Sequence, residues 1–444
     1  MARELRADLV VLGAGLAGLS AAATAAAAGA TTVVLEPAAT VGGSAAISGG
    51  YVWAVESAER LREEDPGRFQ RHGRLVVDGY RDAIDWLTGY APPLTGEERA
   101  LAGRGHKFDM PVVIAHLVRE VMAGGGRVVA EARTEDVTRT GHGYLTVAST
   151  PDGVLRITSP SVVLATGGRQ ADPEVRASLV GGGFVPPLRG NTYSRGTGVA
   201  LAERLGGSVN TANTGFYGHL FASGVQSLSP VDHITFALYH SGLGLLFHPR
   251  GHRFTDERRG DHNNAMALAA HGGRGLLLWS EEVQRDAAQA PFVPGTPRLD
   301  RWAFTRDRGG RTTVAEDLTA LLPVLREWGH TEPVLDDGAR ARLGDGRVFA
   351  ADVVPAITFT FGGVEVDDEG TAVDASGRPL PGLYAAGADM SDVYHEGYGG
   401  GLCQAVVTGR RAGLLAAARA RGAPGGHGRG RADTVRPPAT WRLR

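Results

Sequence analysis

Between Asp8 and Glu36 the chain carries no charge, and this stretch, DLVVLGAGLAGLSAAATAAAAGATTVVLE, limits the fold more than any other. An apolar β-type run, Leu9 to Leu12, meets Gly13, Gly15 and Gly18 at G-x-G-x-x-G spacing. An alanine-rich segment follows, and a second β-type run, Thr31 to Leu35, ends on Glu36. Strand, glycine turn, helix, strand and terminal acid together make the context that a dinucleotide-binding fingerprint requires. Gly13 permits the tight turn, Gly15 leaves room for a pyrophosphate, and Gly18 lets helix and strand approach. Leu16 and Ala17 open the helix whose N-terminus faces the phosphates. Glu36 is placed to take ribose hydroxyls.

A run this long without charge also raises a membrane span. Glycines interrupt it, alanine is only weakly apolar, and its β-branched residues gather at the two ends, so the reading is a protein without a membrane span. Glu4 and Asp8 break the basic start that a secretory signal needs, and the expected compartment is cytoplasmic.

With 444 residues the chain suits two domains. A formal net charge of −2 gives no basic field for nucleic acid or anionic lipid. Cys403 stands alone, which excludes an intrachain disulfide, an internal iron–sulfur cluster and a C-x-x-C-H haem site. Electrons must then leave through a bound cofactor, a partner or an external acceptor or donor. Lys107 is the only lysine among many arginines, so a single arginine says little about function.

After Glu36 comes PAATVGGSAAISGGYVWA, in which Gly42, Gly43, Ser44, Gly49 and Gly50 let the backbone approach something flat or phosphorylated. Here the sequence resembles the FAD-binding flavoproteins of the fumarate reductase and succinate dehydrogenase superfamily, where this loop passes the flavin ring. Some members carry a histidine at this place, covalently joined to FAD. No histidine occurs between Met1 and Arg71, so the resemblance implies non-covalent FAD.

Further along, the charged, helix-like residues 54–100 read as a cover for the nucleotide domain. An amphipathic helix from about Pro111 to Met122 leads to a strand that in the family returns to the adenine, making Thr134 a backbone contact. The run SVVLATGGRQ reads as a strand, Ser161 to Leu164, ending in Ala165, Thr166 and Gly167. It resembles the second flavoprotein fingerprint. A glycine turn then feeds a helix from about Val199, with Thr197 where the family usually has an aspartate. Near the C-terminus GLYAAG, ending at Gly387, resembles the last FAD signature, which implies that Asp389 lies near the ribityl chain. The Gly399–Gly401 turn opens a helix at Gly401 and Leu402, whose positive end the family aims at the flavin.

The expected fold class is α/β: a Rossmann-like FAD-binding domain of glutathione-reductase type, residues 1–207 and 351–421, with an inserted α+β capping domain, residues 208–350. Residues 422–444 read as a disordered tail. Domain interfaces commonly hold substrate clefts, and three clusters carry candidate chemistry. His219, in Phe216-Tyr217-Gly218-His219, falls where fumarate reductases hold a substrate histidine. Glu257 and Arg258 lie in HPRGHRFTDERRGDHNN, which resembles the G-x-R-F-x-x-E segment, although Asp261 stands where a proton-donating arginine is found in fumarate reductases. His395 and Tyr398 lie in Tyr394-His395-Glu396-Gly397-Tyr398. No H-E-x-x-H spacing suggests a metal.

The substrate arginine of fumarate reductases, at about Gly397 or Tyr398, and a histidine at about Thr358 or Phe359 are both missing. A dicarboxylate needs positive groups at both ends, and His219 alone matches that clamp. The resemblance to 3-ketosteroid and tricarballylate dehydrogenases implies instead a CH–CH bond beside a carbonyl, oxidised or formed by hydride exchange with flavin N5, with a tyrosine or histidine handling the α-proton. An oxygen-using oxidase or hydroxylase is the enzyme alternative, and an FAD-binding electron-transfer partner without its own substrate the non-enzyme one.

Overall fold

The computed structural model describes residues 3–66, 71–100, 102–211, 214–225, 229, 232–291 and 298–422. The expected tail beyond Gly422 lies outside the described residues. The chain divides into two compact units, residues 1–169, 193–214 and 361–444 in one and residues 170–192 and 215–360 in the other.

The first unit is built on a six-stranded sheet in the order Thr371–Val373, Pro379–Ala385, Ser161–Leu164, Leu9–Leu12, Thr32–Leu35, Arg127–Val129. All neighbours are parallel except the first pair. Leu9–Leu12, Thr32–Leu35 and Ser161–Leu164 are buried at every position. This is why the sequence shows continuous apolar runs here and no alternation. The helix Leu16–Ala27 buries all its residues but Ala27. Its alanines let the C-terminal helix Gly401–Gly422 come into backbone contact: a Cβ on Gly409 or Gly413 would lie 2.3 Å from the carbonyl oxygens of Ala17 or Ala21. The charge-free run is thus the centre of a packed unit, and among the described residues no helix is long and apolar enough to cross a membrane.

The segment expected to cover the nucleotide domain holds helices Ala58–Glu64 and Gly73–Thr88 and the edge of a small sheet. The helix expected from Pro111 runs from Met110 to Ala123, with the Asp109 carboxylate accepting from the Val112 N–H.

The second unit is an antiparallel sheet around the strand Val348–Thr360, which pairs with Phe216–Ala222, Gly275–Ser280 and Thr312–Ala315, while Leu245–Phe247 pairs with Gly275–Ser280. From sequence this segment looks irregular because Leu245–Phe247 and Gly275–Ser280 are short and buried at every position, leaving no period to read. The sequence groups residues 170–192 and 351–360 with the nucleotide-binding part. In the structure, residues 351–360 continue the central strand of the second unit, and the Arg189 N–H donates to the Ile357 carbonyl at 2.8 Å. Both segments therefore cluster with that unit.

Candidate functional site

Gly13 follows the first strand at φ +102°, and a Cβ there would meet the Ala165 carbonyl at 2.3 Å. A Cβ on Gly18 would lie 1.9 Å from the Gly13 carbonyl oxygen, so turn and helix close only on glycine. Gly15 is the N-cap of helix Leu16–Ala27, no side chain caps that end, and the space where its Cβ would project is open. An uncapped helix N-terminus beside open space is what a pyrophosphate requires. Leu16 and Ala17 are buried in the first turn. The Glu36 carboxylate accepts the N–H groups of Ala14 (2.8 Å) and Ala38 (3.0 Å), and burial raises its pKa against those two bonds.

The small-residue loop folds back on this turn. Gly42 donates its N–H to the Ala14 carbonyl (2.8 Å) and caps a short helix, Gly43–Ala46, that contains Ser44. Gly49 and Ser44 are half-buried, and a Cβ on Gly50 would collide with the Phe108 carbonyl. Thr134 is half-buried on the strand Arg133–Thr140, beside a register break, and nearby Ala132 donates its N–H to the Glu36 carbonyl (2.8 Å).

Asp389 is the acid expected near the ribityl chain. Its carboxylate is fully buried and accepts from the Thr166 N–H, the Thr166 hydroxyl (2.8 Å) and the Gly168 N–H (2.8 Å). It ties the Ala165-Thr166-Gly167 turn to the last signature, and burial raises its pKa against these donors. The next link is Gly387, at φ +62°, whose N–H donates to Thr408 Oγ1 (2.8 Å) and whose carbonyl accepts from Gln404 Nε2 (2.9 Å). Sequence reasoning missed Gln404 and Thr408, which face this loop from the helix Gly401–Gly422.

At the start of that helix the phenol oxygen of Tyr398 accepts the Gly401 N–H at 2.8 Å, and Leu402 is half-buried in the first turn. Trp53 and Tyr394 meet the Tyr398 ring edge-on at 5.5 and 5.7 Å. The loop that carries Tyr398 is fixed from below: Asp65, 1% exposed, accepts the N–H groups of His395 and Glu396, each at 2.8 Å. The His395 imidazole is half-buried. Asp65 stands 330 residues before His395, and no motif marks it. These turns, the uncapped helix ends and the open space at Gly15 fit the FAD that the resemblance implies.

In the second unit His219 is 1% exposed. Its Nδ1 meets the Asp261 carboxylate in a short contact and its Nε2 lies 2.8 Å from the Tyr217 phenol oxygen. Burial and the Arg189 charge pull its pKa down to about 4, outweighing Asp261. The imidazole is therefore neutral near pH 7, with Nδ1–H toward Asp261 and Nε2 accepting the Tyr217 O–H. Arg189 donates Nη1 to Thr358 Oγ1 and Nη2 to the Tyr239 oxygen, both at 2.9 Å. His219 and Tyr239 rings meet edge-on at 5.1 Å. Sequence reasoning counted His219 as the lone survivor of a cationic clamp and missed Arg189, whose signal was lost among the many arginines.

Two candidates from the same unit do not join this group. Glu257 is fully buried, and its carboxylate takes Arg253 (2.9 and 2.6 Å), Arg342 (3.1 Å) and the Leu246 N–H (3.0 Å). These partners hold its pKa below the usual range despite burial, so it is a structural anchor. Arg258 is 78% exposed and pairs with Asp256 in its own turn. Neither sits as a substrate group would, because one is saturated with partners and the other is solvated.

Residues 8–402 match the profile of a family described as an FAD binding domain. The chain is 25% identical to a fumarate reductase (cytochrome) of Shewanella frigidimarina, over 92% of this chain and 77% of that protein. It is 23% identical to 4-oxocyclohexanecarboxylate 2-dehydrogenase of Sinomonas cyclohexanicum, over 88% and 89%. Its fold is similar to that of 3-ketosteroid delta1-dehydrogenase from Sterolibacterium denitrificans, with a TM-score of 0.70 and 15% identity over 93% and 99% of the two chains.

Proposed function

The chain belongs to the FAD binding domain family, among the fumarate reductase and succinate dehydrogenase flavoproteins, and from that premise we propose a cytoplasmic enzyme that forms or removes a double bond next to a carbonyl in a small organic substrate. Bound FAD supplies the hydride acceptor or donor. The cofactor is held without a covalent link, because no histidine lies in the loop from Gly43 to Gly50.

The observation that carries this reading is the chain Asp261, His219, Tyr217, a carboxylate, an imidazole and a phenol in hydrogen-bonded order. His219 is too deeply buried to touch substrate, whereas Tyr217 is half-buried. Tyr217 is then the group that takes the α-proton as it passes its own hydroxyl proton to His219 Nε2, or gives it as that proton returns, and Asp261 orients the imidazole and steadies its charged form. On the first unit, Tyr398 accepts the first N–H of a helix whose positive end strengthens its own O–H as a donor. That suits it to bind a carbonyl oxygen, with His395 on the same loop as a second polar contact. An external acceptor or donor completes the cycle, since Cys403 is the only cysteine and is buried.

The test is anaerobic mixing of the oxidised, FAD-loaded enzyme with saturated cyclic ketones and keto acids, and of the reduced enzyme with their α,β-unsaturated counterparts. Bleaching of the visible flavin band by the former, or its return with the latter, is the expected result. A flavin that responds to neither abandons the reading.

A further inference from the structure

The buried charges of the second unit do not balance. Arg189 and Arg301 are each 6% exposed, and neither makes an ion pair among the described residues. Arg189 donates to two neutral hydroxyls, those of Thr358 and Tyr239. Arg301 donates Nη1 to the carbonyls of Ala288 (3.2 Å) and Ala290 (2.9 Å), and its guanidinium lies 5.3 Å from the Tyr239 ring centroid. The Nε of each arginine is buried without a hydrogen-bond partner. Tyr239 thus stands between two guanidinium ions, one on its hydroxyl and one on its ring.

Other buried acids of this unit are already neutralised. Glu257 pairs with Arg253 and Arg342, and Asp352 with Arg274, Arg311 and His330. The carboxylate of Asp261 acts on Arg189 at a distance, and it is held by the neutral His219. Tyr239 does not serve as the counter-ion either, because burial raises its pKa more than Arg189 lowers it. Two guanidinium ions therefore face one carboxylate. A buried ion without a partner is strongly unfavourable, so the arrangement suits a protein that receives its missing negative charge from a ligand.

We propose that Arg189, with the hydroxyls of Tyr239 and Thr358, forms an anion-recognising subsite, and that the substrate is an organic monocarboxylate, such as a keto acid, whose carboxylate is received there. Arg189 has N–H donors beyond the two in use, and planar guanidinium groups match carboxylates in two-point contact. Tyr239 and Thr358 are half-buried, and both hydroxyls are held by the guanidinium behind them. Arg301 adds its field through the Tyr239 ring. The proposal rests on the functional reading above for the identity of the reacting bond, and on the charge imbalance for the anion.

Benzoate and benzamide separate the two, because they differ in charge and neither offers a CH–CH bond to oxidise. Calorimetric titration of the oxidised, FAD-loaded enzyme should show benzoate binding at least about tenfold tighter than benzamide, the effect of one charge-assisted hydrogen-bonded contact. In Arg189→Gln the preference should fall below about twofold, with Arg189→Lys in between. If Arg189→Gln does not fold, the double variant Tyr239→Phe with Thr358→Val should lower the same preference. Equal affinities in the unaltered enzyme, no benzoate binding, or a preference that survives Arg189→Gln would overturn the subsite. Failure of the functional reading appears elsewhere, as a flavin left unbleached by every ketone and keto acid.

Discussion

His219 Nε2 and the Tyr217 phenol oxygen lie 2.8 Å apart. The two residues are two positions apart on the strand Phe216–Ala222, so the alternation of a strand puts their side chains on one face. Asp261, at the start of helix Asp261–Ala270, closes the far side of the imidazole. A buried base thus meets a half-buried phenol.

Removing that phenol should therefore matter more than its modest burial suggests. Tyr217→Phe is expected to lower the rate of flavin reduction by a saturated ketone by about 10²–10⁴-fold, the usual share of a positioned acid or base. Asp261→Asn should also slow it, by favouring the wrong tautomer. Stopped-flow bleaching checks both, and a Tyr217→Phe enzyme with an unchanged rate would remove the relay.

The glycine turn gives a sharper test of the cofactor site. Gly18→Ala places a Cβ 1.9 Å from the Gly13 carbonyl oxygen, backbone that has no room to yield. The purified variant should carry less than about half the FAD per chain of the unaltered protein and melt at a lower temperature, since backbone clashes of this kind cost on the order of 1–3 kcal/mol. Gly96→Ala, where a Cβ meets nothing within 4 Å, is the control and should keep both. Acid precipitation of the unaltered protein should leave the flavin in the supernatant; colour in the pellet would refute the non-covalent assignment.

Contrasts between residues show what could be read in advance. The opening βαβ unit was legible because its constraint is local: Gly13, Gly15, Gly18 and Glu36 lie within one short stretch. The ATGG strand and the last signature were legible as motifs, but the bond that joins them was not, because Asp389 reaches Thr166 and Gly168 across more than 200 residues. Arg189 was invisible for another reason. In a chain with a single lysine and many arginines, composition hides which guanidinium is buried, and only the fold of residues 170–192 onto the strand Val348–Thr360 reveals it. Glu257 and Arg258 looked like chemistry because charge density is visible in sequence, whereas the partners that absorb it are not.

Asp65 should behave as a positioning residue for the Tyr398 loop. Asp65→Ala leaves the N–H groups of His395 and Glu396 without the carboxylate they share, at about 1 kcal/mol for each part-buried bond. The expected outcome is a lower melting temperature and a kcat/KM that falls further than FAD content does, with partial recovery in Asp65→Asn, whose amide oxygen replaces one acceptor. Loss of FAD in proportion to activity would assign Asp65 to the cofactor site.

The buried histidines should make the protein acid-sensitive well above the range where its carboxylates titrate. His240 is 5% exposed, neither ring nitrogen has a hydrogen-bond partner, and burial together with Arg301 pulls its pKa down to about 3. Its unfolded value is near 6.5, so as pH falls below about 6.5 the unfolded chain binds a proton that the folded one refuses. The stability is complete above that pH and is lost progressively down to about 3. His219, with a folded value of about 4, adds a second loss that is complete near pH 4. Between about pH 6.5 and 5 each should cost on the order of 2 kcal/mol. Urea midpoints at the two pH values check this: His240→Leu should remove roughly half of the acid-induced drop, because leucine fills a similar space beside Trp279 and has no proton to bind. A drop as steep as in the unaltered protein would mean that His240 titrates normally and that its burial is incomplete in solution.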